Sequence, residues 1–127
     1  MFVFSSAPAY RQRASRNSGK SLVLLFQPRR VFRGIEEGIP ISLEAAVYSL
    51  LPETGSVEVQ RDTPERHHAK HTHPTHEILL IVSGSITFHL GEDDYVCTSG
   101  DRLYLPVNTL HASKAGEKGC LYVISIK

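Results

Sequence analysis

Short apolar runs, each closed by glycine, proline or acidic residues, recur along the chain from Ser21 onward. Runs of this length between turn-forming residues are typical of β-strands, and many of them at close spacing are typical of a sandwich or closed barrel. The predicted strands are Leu22–Phe26, Val31–Arg33, Ile41–Leu50, Ser56–Arg61, His67–His73, Glu77–Ser83, Ser85–Leu90, Tyr95–Thr98, Arg102–Leu105, Leu110–Lys114 and Cys120–Ile126. This pattern predicts an all-β protein.

Alternation within the runs predicts which side chains face the core. Ile86 and Phe88 share one face of their strand, which leaves His89 facing solvent. The run Ile78–Val82 is apolar on both faces and must be covered on both. A partner subunit would supply the second cover, so we expect a homodimer.

The stretch Ile41–Leu50 allows two interpretations. Its second part, Leu43–Leu50, has the propensity for one or two helical turns. Strands are predicted on both sides of it, however, and local choices usually agree with the surrounding fold. We therefore predict a strand here as well.

Length and charge indicate one domain with an extension. A chain of 127 residues with 41% hydrophobic and 21% charged residues is ordinary for one globular domain. Up to Gly34 there are seven basic residues and no acidic ones, whereas from Ile35 there are seven basic and thirteen acidic residues. We predict a basic, polar N-terminal extension at residues 1–20 and a single domain at residues 21–127.

The extension has three interpretations. Arg11, Arg13 and Arg16 among serines would suit a transit peptide or an arm that binds nucleic acid. A polar extension, or a start codon placed too early, is the simpler interpretation, and we expect no nucleic-acid partner. No run approaches the length of a transmembrane helix. We therefore expect no membrane partner and a cytoplasmic location.

Five histidines fall within residues 67–76, directly before the strand that begins at Glu77. In an extended chain His71 and His73 project from the same side, roughly 6 to 7 Å apart. Two imidazoles on one face can bind one metal ion, and the Glu77 carboxylate can turn toward it if the next strand folds back. His111 is a fourth candidate that only the fold can bring near.

These residues lie in a pattern that resembles the two signature motifs of the cupin superfamily. The first, H-x-H-x3-E-x6-G, runs from His71 to Gly84, and the second, G-x5-P-x4-H, runs from Gly100 to His111. In cupins the two motifs lie on neighbouring strands of a small antiparallel barrel and bind one divalent metal. The resemblance implies an all-β, antiparallel double-stranded β-helix, or jelly-roll barrel. The metal ligands that it implies are His71, His73, Glu77 and His111.

Three positions depart from the cupin pattern. Glu65 and Asn108 stand where the family often has glycine, and Ala115 stands where it often has asparagine. Asparagine tolerates the left-handed backbone conformation better than other non-glycine residues, so we expect the turn at Asn108 to form. None of the three supplies a ligand, so the departures affect loops and leave the metal site intact.

The ligand set predicts a cofactor without identifying it. Nitrogen and oxygen donors without thiolate suit one divalent transition metal, which could be Fe, Mn, Ni, Zn, Co or Cu. Four protein ligands leave one or two positions for water or substrate, as in a working site. The alternative is a set of histidines that fill the barrel or form a surface cluster with adventitious metal affinity.

Other polar residues receive plainer interpretations. His67, His68 and His76 are predicted to be structural or rim residues, and His76 has the opposite parity to Glu77, so it should point away from the ion. Cys97 and Cys120 follow no metal or redox spacing, and we expect buried free thiols, although a disulfide remains open.

Two classes of function fit the sequence. The first is a small metal-dependent enzyme, a dioxygenase or an isomerase or lyase, that acts on a small organic molecule. The second is a non-enzymatic module that binds or senses a small molecule, since His73–Ile78 resembles the sensing domains of arabinose-operon-type regulators, which are also cupins. A third interpretation, which fewer features of the sequence favour, is a barrel that serves in storage or assembly. No catalytic residue is apparent beyond the ligands, because Arg102 and Tyr104 could face either the cavity or solvent.

Overall fold

The structure, a computed structural model, describes residues 10–14, 24–28, 30–34 and 41–127. Most of the predicted extension, residues 1–20, lies outside the described residues. The elements are β1 (Tyr10–Ala14), β2 (Leu24–Pro28), β3 (Val31–Phe32), α1 (Leu43–Leu50), β4 (Ser56–Asp62), β5 (His67–His71), β6 (Glu77–Leu90), β7 (Asp93–Thr98), β8 (Arg102–Leu105) and β9 (His111–Ile126). Within these ranges no helix has both the length and the apolar character needed to cross a membrane.

The chain divides into two units, Met1–Arg30 and Val31–Lys127. In the first unit β1 and β2 pair antiparallel, with Tyr10 opposite Pro28. The strand predicted at Leu22–Phe26 overlaps β2. No strand is predicted at β1, because its residues Tyr-Arg-Gln-Arg-Ala carry no apolar run.

The two long strands β6 and β9 form the centre of the second unit. They pair antiparallel along most of their length, from Glu77 opposite Ile126 to His89 opposite Ala112. Strand β6 also pairs with β8 in its first half and with β7 in its second half. Strand β9 pairs with β5 near its start and with β4 near its end. This topology confirms the predicted antiparallel jelly-roll fold.

The structure corrects the predicted ends of the two long strands. The sequence predicts separate strands on either side of Gly84 and of residues 116–119, but each pair forms one continuous strand. Gly84 and Gly119 have φ of 78° and 75°, and the register between β6 and β9 shifts on both sides of Gly84. These glycines therefore bend the strands at bulges and do not end them.

The predicted strand at Ile41–Leu50 is wrong, because α1 occupies most of it. The hydroxyl of Ser42 caps the helix by accepting a hydrogen bond from the Ala45 N–H at 3.0 Å. Ala46 and Leu50, one helical turn apart, are both buried. The cap and the buried face favour the helix over the strand that the flanking pattern suggested.

Helix α1 covers the outer face of the barrel. Leu80 and Val82 of β6 and Val123 of β9 pack with it in one buried cluster. Leu79 and Ile81, which alternate with them, belong to a second cluster inside the barrel. Strand β6 is thus covered on both faces by one chain. The apolar pattern of β6 no longer argues for a partner subunit, and the homodimer stays a prediction.

Two non-glycine residues adopt the left-handed backbone conformation, Glu65 with a φ of 63° and Asn108 with a φ of 59°. Both stand where the cupin motifs often have glycine. The prediction that the turn at Asn108 forms is therefore confirmed. Glu65 is the more strained of the two, because its side chain is less suited to this conformation than that of asparagine.

Replacing Glu65 with glycine is expected to raise the free energy of unfolding by about 0.5 to 1 kcal/mol. The left-handed conformation costs a residue with a β-carbon roughly 1 to 2 kcal/mol, and the greater freedom of glycine in the unfolded chain offsets part of the gain. Urea unfolding measures the difference. Glu65→Ala, which keeps the β-carbon, is the control and should show no such gain. A glycine variant no more stable than the alanine variant would contradict the proposed strain.

Candidate metal centre

The fold brings three histidines from both motifs together. His71 lies directly opposite His111 where β5 pairs with β9, and His73 follows just after the end of β5. The ring centroids lie 4.6 Å apart for His71 and His73, 4.3 Å for His71 and His111, and 5.2 Å for His73 and His111. One ring nitrogen from each lies within 4.8 Å of the other two. Three imidazoles thus face one small volume.

Backbone carbonyls orient two of these rings. Nδ1 of His71 lies 2.6 Å from the Ala69 carbonyl oxygen, and Nδ1 of His111 lies 2.8 Å from that of Thr109. A carbonyl only accepts, so each Nδ1–H is assigned as the donor and each Nε2 keeps its lone pair. Burial lowers the pKa of His111, and the neighbouring histidines add to this although the Thr109 hydrogen bond opposes it. The ring is therefore neutral, as a metal ligand must be.

Glu77 opens β6 beside these rings. The residue is only 6% exposed, and its Oε2 lies 3.4 Å from Nε2 of His73. Burial raises the pKa of Glu77 and the charge of Glu58 adds to this, while His73 and His71 act in the opposite direction. A cation next to the carboxylate would favour its charged form. Glu77 is thus a buried acid whose surroundings suit a bound ion.

The donors fit one divalent transition metal. Nitrogens bound to a single ion at about 2.1 Å lie at most about 4.2 Å apart, so small rotations of the three rings would let them share it. Imidazole and carboxylate donors suit several first-row metals, and they do not choose among them. Within the described residues His71, His73 and His111 could therefore hold an ion, and Glu77 as a fourth ligand stays a prediction.

Comparison with known families assigns the chain. Residues 54–127, more than half of the chain, match the model of the AraC-like ligand binding domain. The chain belongs to this cupin family. Residues 1–64 also match the model of the YqcI/YcgG family, and that match ends before the first of the clustered histidines. No curated protein matches the chain.

Solved structures share the cupin fold. They include one described as crystal structures of the DMSP lyases RdDddP and RnDddQII, KdgF from Halomonas sp., and a Klebsiella pneumoniae protein with a double-stranded β-helix domain. The identities are 26%, 19% and 16%, and the TM-scores are 0.53, 0.52 and 0.52. The matches cover 56%, 61% and 63% of this chain and 37%, 74% and 84% of the other chains. The chain thus spans little more than a third of the matched DMSP lyase structure.

The three imidazoles line a cavity of about 310 Å³ inside this cupin barrel. Such a volume is typical of a site for a small molecule. The apolar part of its wall includes Leu79, Phe88, Leu105 and Ile124. Among the described residues, no lysine or arginine lines the cavity. The side chain of His73 is 37% exposed, so solvent reaches the three clustered histidines on its side.

Arg102 and Tyr104 do not line the cavity of this cupin. Leu103 and Leu105, which alternate with them along β8, are buried in the interior cluster. Because successive side chains of a strand face opposite sides, Arg102 and Tyr104 lie on the other face. The sequence left open whether these two side chains face the cavity or solvent, and in the structure they face away from the cavity. No arginine from β8 can therefore orient an anionic substrate there.

Three other histidines lie apart from the three clustered rings. His67 is exposed. Nδ1 of His76 accepts a hydrogen bond from the Val107 N–H at 3.2 Å, which links the two motif segments. Nδ1 of His89 lies 2.5 Å from a carboxylate oxygen of Asp94 on the neighbouring strand. The half-exposed side chain of His89 agrees with its predicted outward orientation.

Cys97 and Cys120 are buried free thiols, as predicted. Burial raises the pKa of each thiol to about 12, with nearby negative charges adding to the effect. Reactive cysteines are those that ionise readily, and these two stay protonated. They belong to the packed core of the barrel.

His68 lines the cavity, although the sequence did not identify it as a site residue. The sequence places it among structural or rim residues, whereas in the structure it lines the cavity. In a regular strand His68 and His71, three residues apart, would face opposite sides. The β5–β9 register shifts between them, so a bulge turns both toward the interior. Strand alternation gives no signal of such a bulge.

Proposed function

We propose that this cupin binds one divalent transition metal through His71, His73, Glu77 and His111 and acts on a small neutral organic molecule. The observation that supports this most is the convergence of three imidazole nitrogens and a buried carboxylate at one cavity. Histidines that only filled the barrel would not need ring nitrogens directed at one another. A surface cluster would not include a carboxylate that is 6% exposed.

The protein residues have distinct tasks in this proposal. Hydrogen bonds from Nδ1 to backbone carbonyls fix the rings of His71 and His111 and leave each Nε2 free for the metal. These rings therefore lose little side-chain freedom when the metal binds. Glu77 offsets one of the two positive charges of the ion and leaves the centre electrophilic. When bound, the metal would polarise an oxygen of the substrate as a Lewis acid.

The charges of the cavity wall support a neutral substrate. Its acidic lining residues are Glu58 and Glu77, and among the described residues no lysine or arginine lines it. With Glu77 at the metal, an anionic group placed away from the ion would meet Glu58 without a compensating side chain. A neutral molecule with one oxygen for the metal and an apolar part for Leu79 and Phe88 fits better.

Lyase chemistry is the form of the proposal that one comparison supports. The matched structure with the highest identity given above, 26%, is described as that of DMSP lyases. Lyases need no external oxidant, unlike the dioxygenase that the sequence also allowed. The class of reaction is a proposal, because the match covers only 37% of that chain.

A second candidate is a non-enzymatic module that binds a small molecule. The family to which residues 54–127 belong is described as a ligand binding domain, which specifically favours this candidate. Both candidates need the same cavity. They differ in whether a bound molecule is converted.

Metal analysis of tag-free protein tests the proposal. Protein purified without an affinity tag and dialysed against Fe, Mn, Ni, Zn, Co or Cu is expected to retain about one ion per chain for at least one of them. Retention far below one ion for all six would contradict the metal site. With the loaded protein, conversion of neutral carbonyl compounds supports the enzyme, and saturable binding without conversion supports the ligand-binding module.

Three further predictions belong with this proposal. We propose that residues 21–127 form the functional domain, that the protein is a homodimer and that it acts in the cytoplasm. Sedimentation of purified protein measures the subunit number. A monomer at micromolar concentration would contradict the homodimer without affecting the metal site.

A further inference from the structure

A buried acid, Asp62, lies behind the cavity wall and is hydrogen-bonded to three residues that line the cavity. It is 3% exposed and accepts hydrogen bonds from three side chains. The Tyr122 hydroxyl donates at 3.0 Å, the Gln60 amide donates at 3.1 Å, and Nε2 of His68 lies 3.0 Å from both carboxylate oxygens. Burial acts to raise the pKa of Asp62, but the hydrogen bonds from His68, Gln60 and Tyr122 outweigh it and lower the pKa. Asp62 is thus a carboxylate fixed on several sides.

This carboxylate defines the state of His68. A carboxylate only accepts, so Nε2 of His68 carries a proton, and in the neutral ring Nδ1 then has the lone pair. Nδ1 has no hydrogen-bond partner among the described residues, and the side chain is 26% exposed at the cavity wall. A histidine that is oriented by an acid through one ring nitrogen, and whose other nitrogen is unpaired, is arranged as a general base.

Other groups at the cavity are less suited to accept a proton. Burial, and the negative charge of Asp62, raise the pKa of Tyr122 well above its usual range, so its hydroxyl stays protonated. Both oxygens of Asp62 are occupied by donors. Glu77 and the three clustered histidines are the proposed ligands. Glu58 also lines the cavity but is exposed, so solvent surrounds it.

We infer that His68, oriented by Asp62, is the proton acceptor for a small neutral carbonyl compound bound in the cavity. The C–H bond next to the carbonyl breaks, its proton passes to Nδ1 of His68, and its electron pair moves toward the carbonyl oxygen. Return of the proton to a neighbouring position completes an isomerisation, and departure of a group from the adjacent carbon completes an elimination. No oxidant is needed. The inference rests on the proposed function and identifies the substrate class of the same site.

Two measurements on the full chain test this inference. Nitrogen NMR of the metal-free protein is expected to show that the neutral ring of His68 is the tautomer with its proton on Nε2 and none on Nδ1. Metal-loaded protein in D2O with hydroxyacetone as the probe is expected to accelerate exchange of the hydrogens next to the carbonyl above the rate of the metal salt alone. His68→Gln is expected to lower the protein-dependent rate by about 100-fold or more. Asp62→Asn should lower it by at least about tenfold, because an amide can favour the wrong tautomer.

His89→Gln makes the same change at a histidine outside the cavity and should leave both metal binding and exchange unchanged. Because Asp62→Asn removes a buried charge and can unfold the barrel, His68→Gln with one bound metal per chain is the deciding variant. Any one of three results would overturn the inference. The first is unchanged exchange in His68→Gln, and the second is no protein-dependent exchange in the wild type. The third is loss of exchange in Glu58→Gln but not in His68→Gln. These results with stoichiometric metal would leave the proposed metal site standing, whereas absence of metal from the wild type would contradict the proposed function itself.

Discussion

His111→Ala is expected to weaken binding of the divalent metal by at least about 100-fold. Binding free energies of roughly 10 to 16 kcal/mol at four-ligand sites correspond to about 3 kcal/mol for each ligand, and 1.4 kcal/mol is a factor of ten. His111 is 5% exposed, and burial lowers its pKa, so the ring is ready to bind without losing a proton. Competition with a chelator of known affinity measures the change.

The control is His89→Ala, which removes an imidazole of β6 that pairs with Asp94 and lies outside the cavity. It should leave the metal affinity unchanged. His71→Ala should weaken binding as much as His111→Ala does, because the two residues lie opposite each other on paired strands. Stoichiometric, undiminished binding in His111→Ala would show that the second motif does not contribute to the site.

The candidate site could be predicted because metal ligation restricts residue types and spacing. His71 and His73 are two residues apart, the spacing that places both on one face of an extended strand. The resemblance to the cupin motifs added Glu77 and His111 as the other expected ligands. No local pattern could show that His111 lies opposite His71. That pairing depends on the closure of the barrel, which the sequence indicates only through its resemblance to other cupins.

What could not be predicted depends on departures from regular strands. His68 enters the cavity through a bulge, and Asp62 contacts His68 from the end of β4. At helix α1 the sequence allowed a helix, and the Ser42 cap together with packing on Leu80 and Val123 decides for it. At the bulge strand pairing outweighs simple alternation, whereas at α1 the helical propensity and the cap outweigh the pattern of the flanking strands.

Gly84→Ala is expected to lower the free energy of unfolding by about 3 kcal/mol or more. Gly84 has a φ of 78°, a conformation that costs residues with a β-carbon roughly 1 to 2 kcal/mol. A β-carbon there would also lie 2.1 Å from the carbonyl oxygen of Gly119 and 2.9 Å from its carbonyl carbon. Both atoms belong to the backbone of β9, so relief of the clash requires the central strand pair to separate. Urea unfolding of the two proteins measures the loss.

Gly91→Ala separates the two causes of this loss. Gly91 has a similar φ of 62°, but a β-carbon there would meet no atom within 4 Å. We therefore expect Gly91→Ala to cost only the conformational part, roughly 1 to 2 kcal/mol. The difference between the two variants measures the close approach of β6 and β9 at the point where both strands bend. Equal losses would mean that the two strands separate easily there. Gly84, which ends the first cupin motif, would then be needed only for its positive φ and not for the close approach of β9.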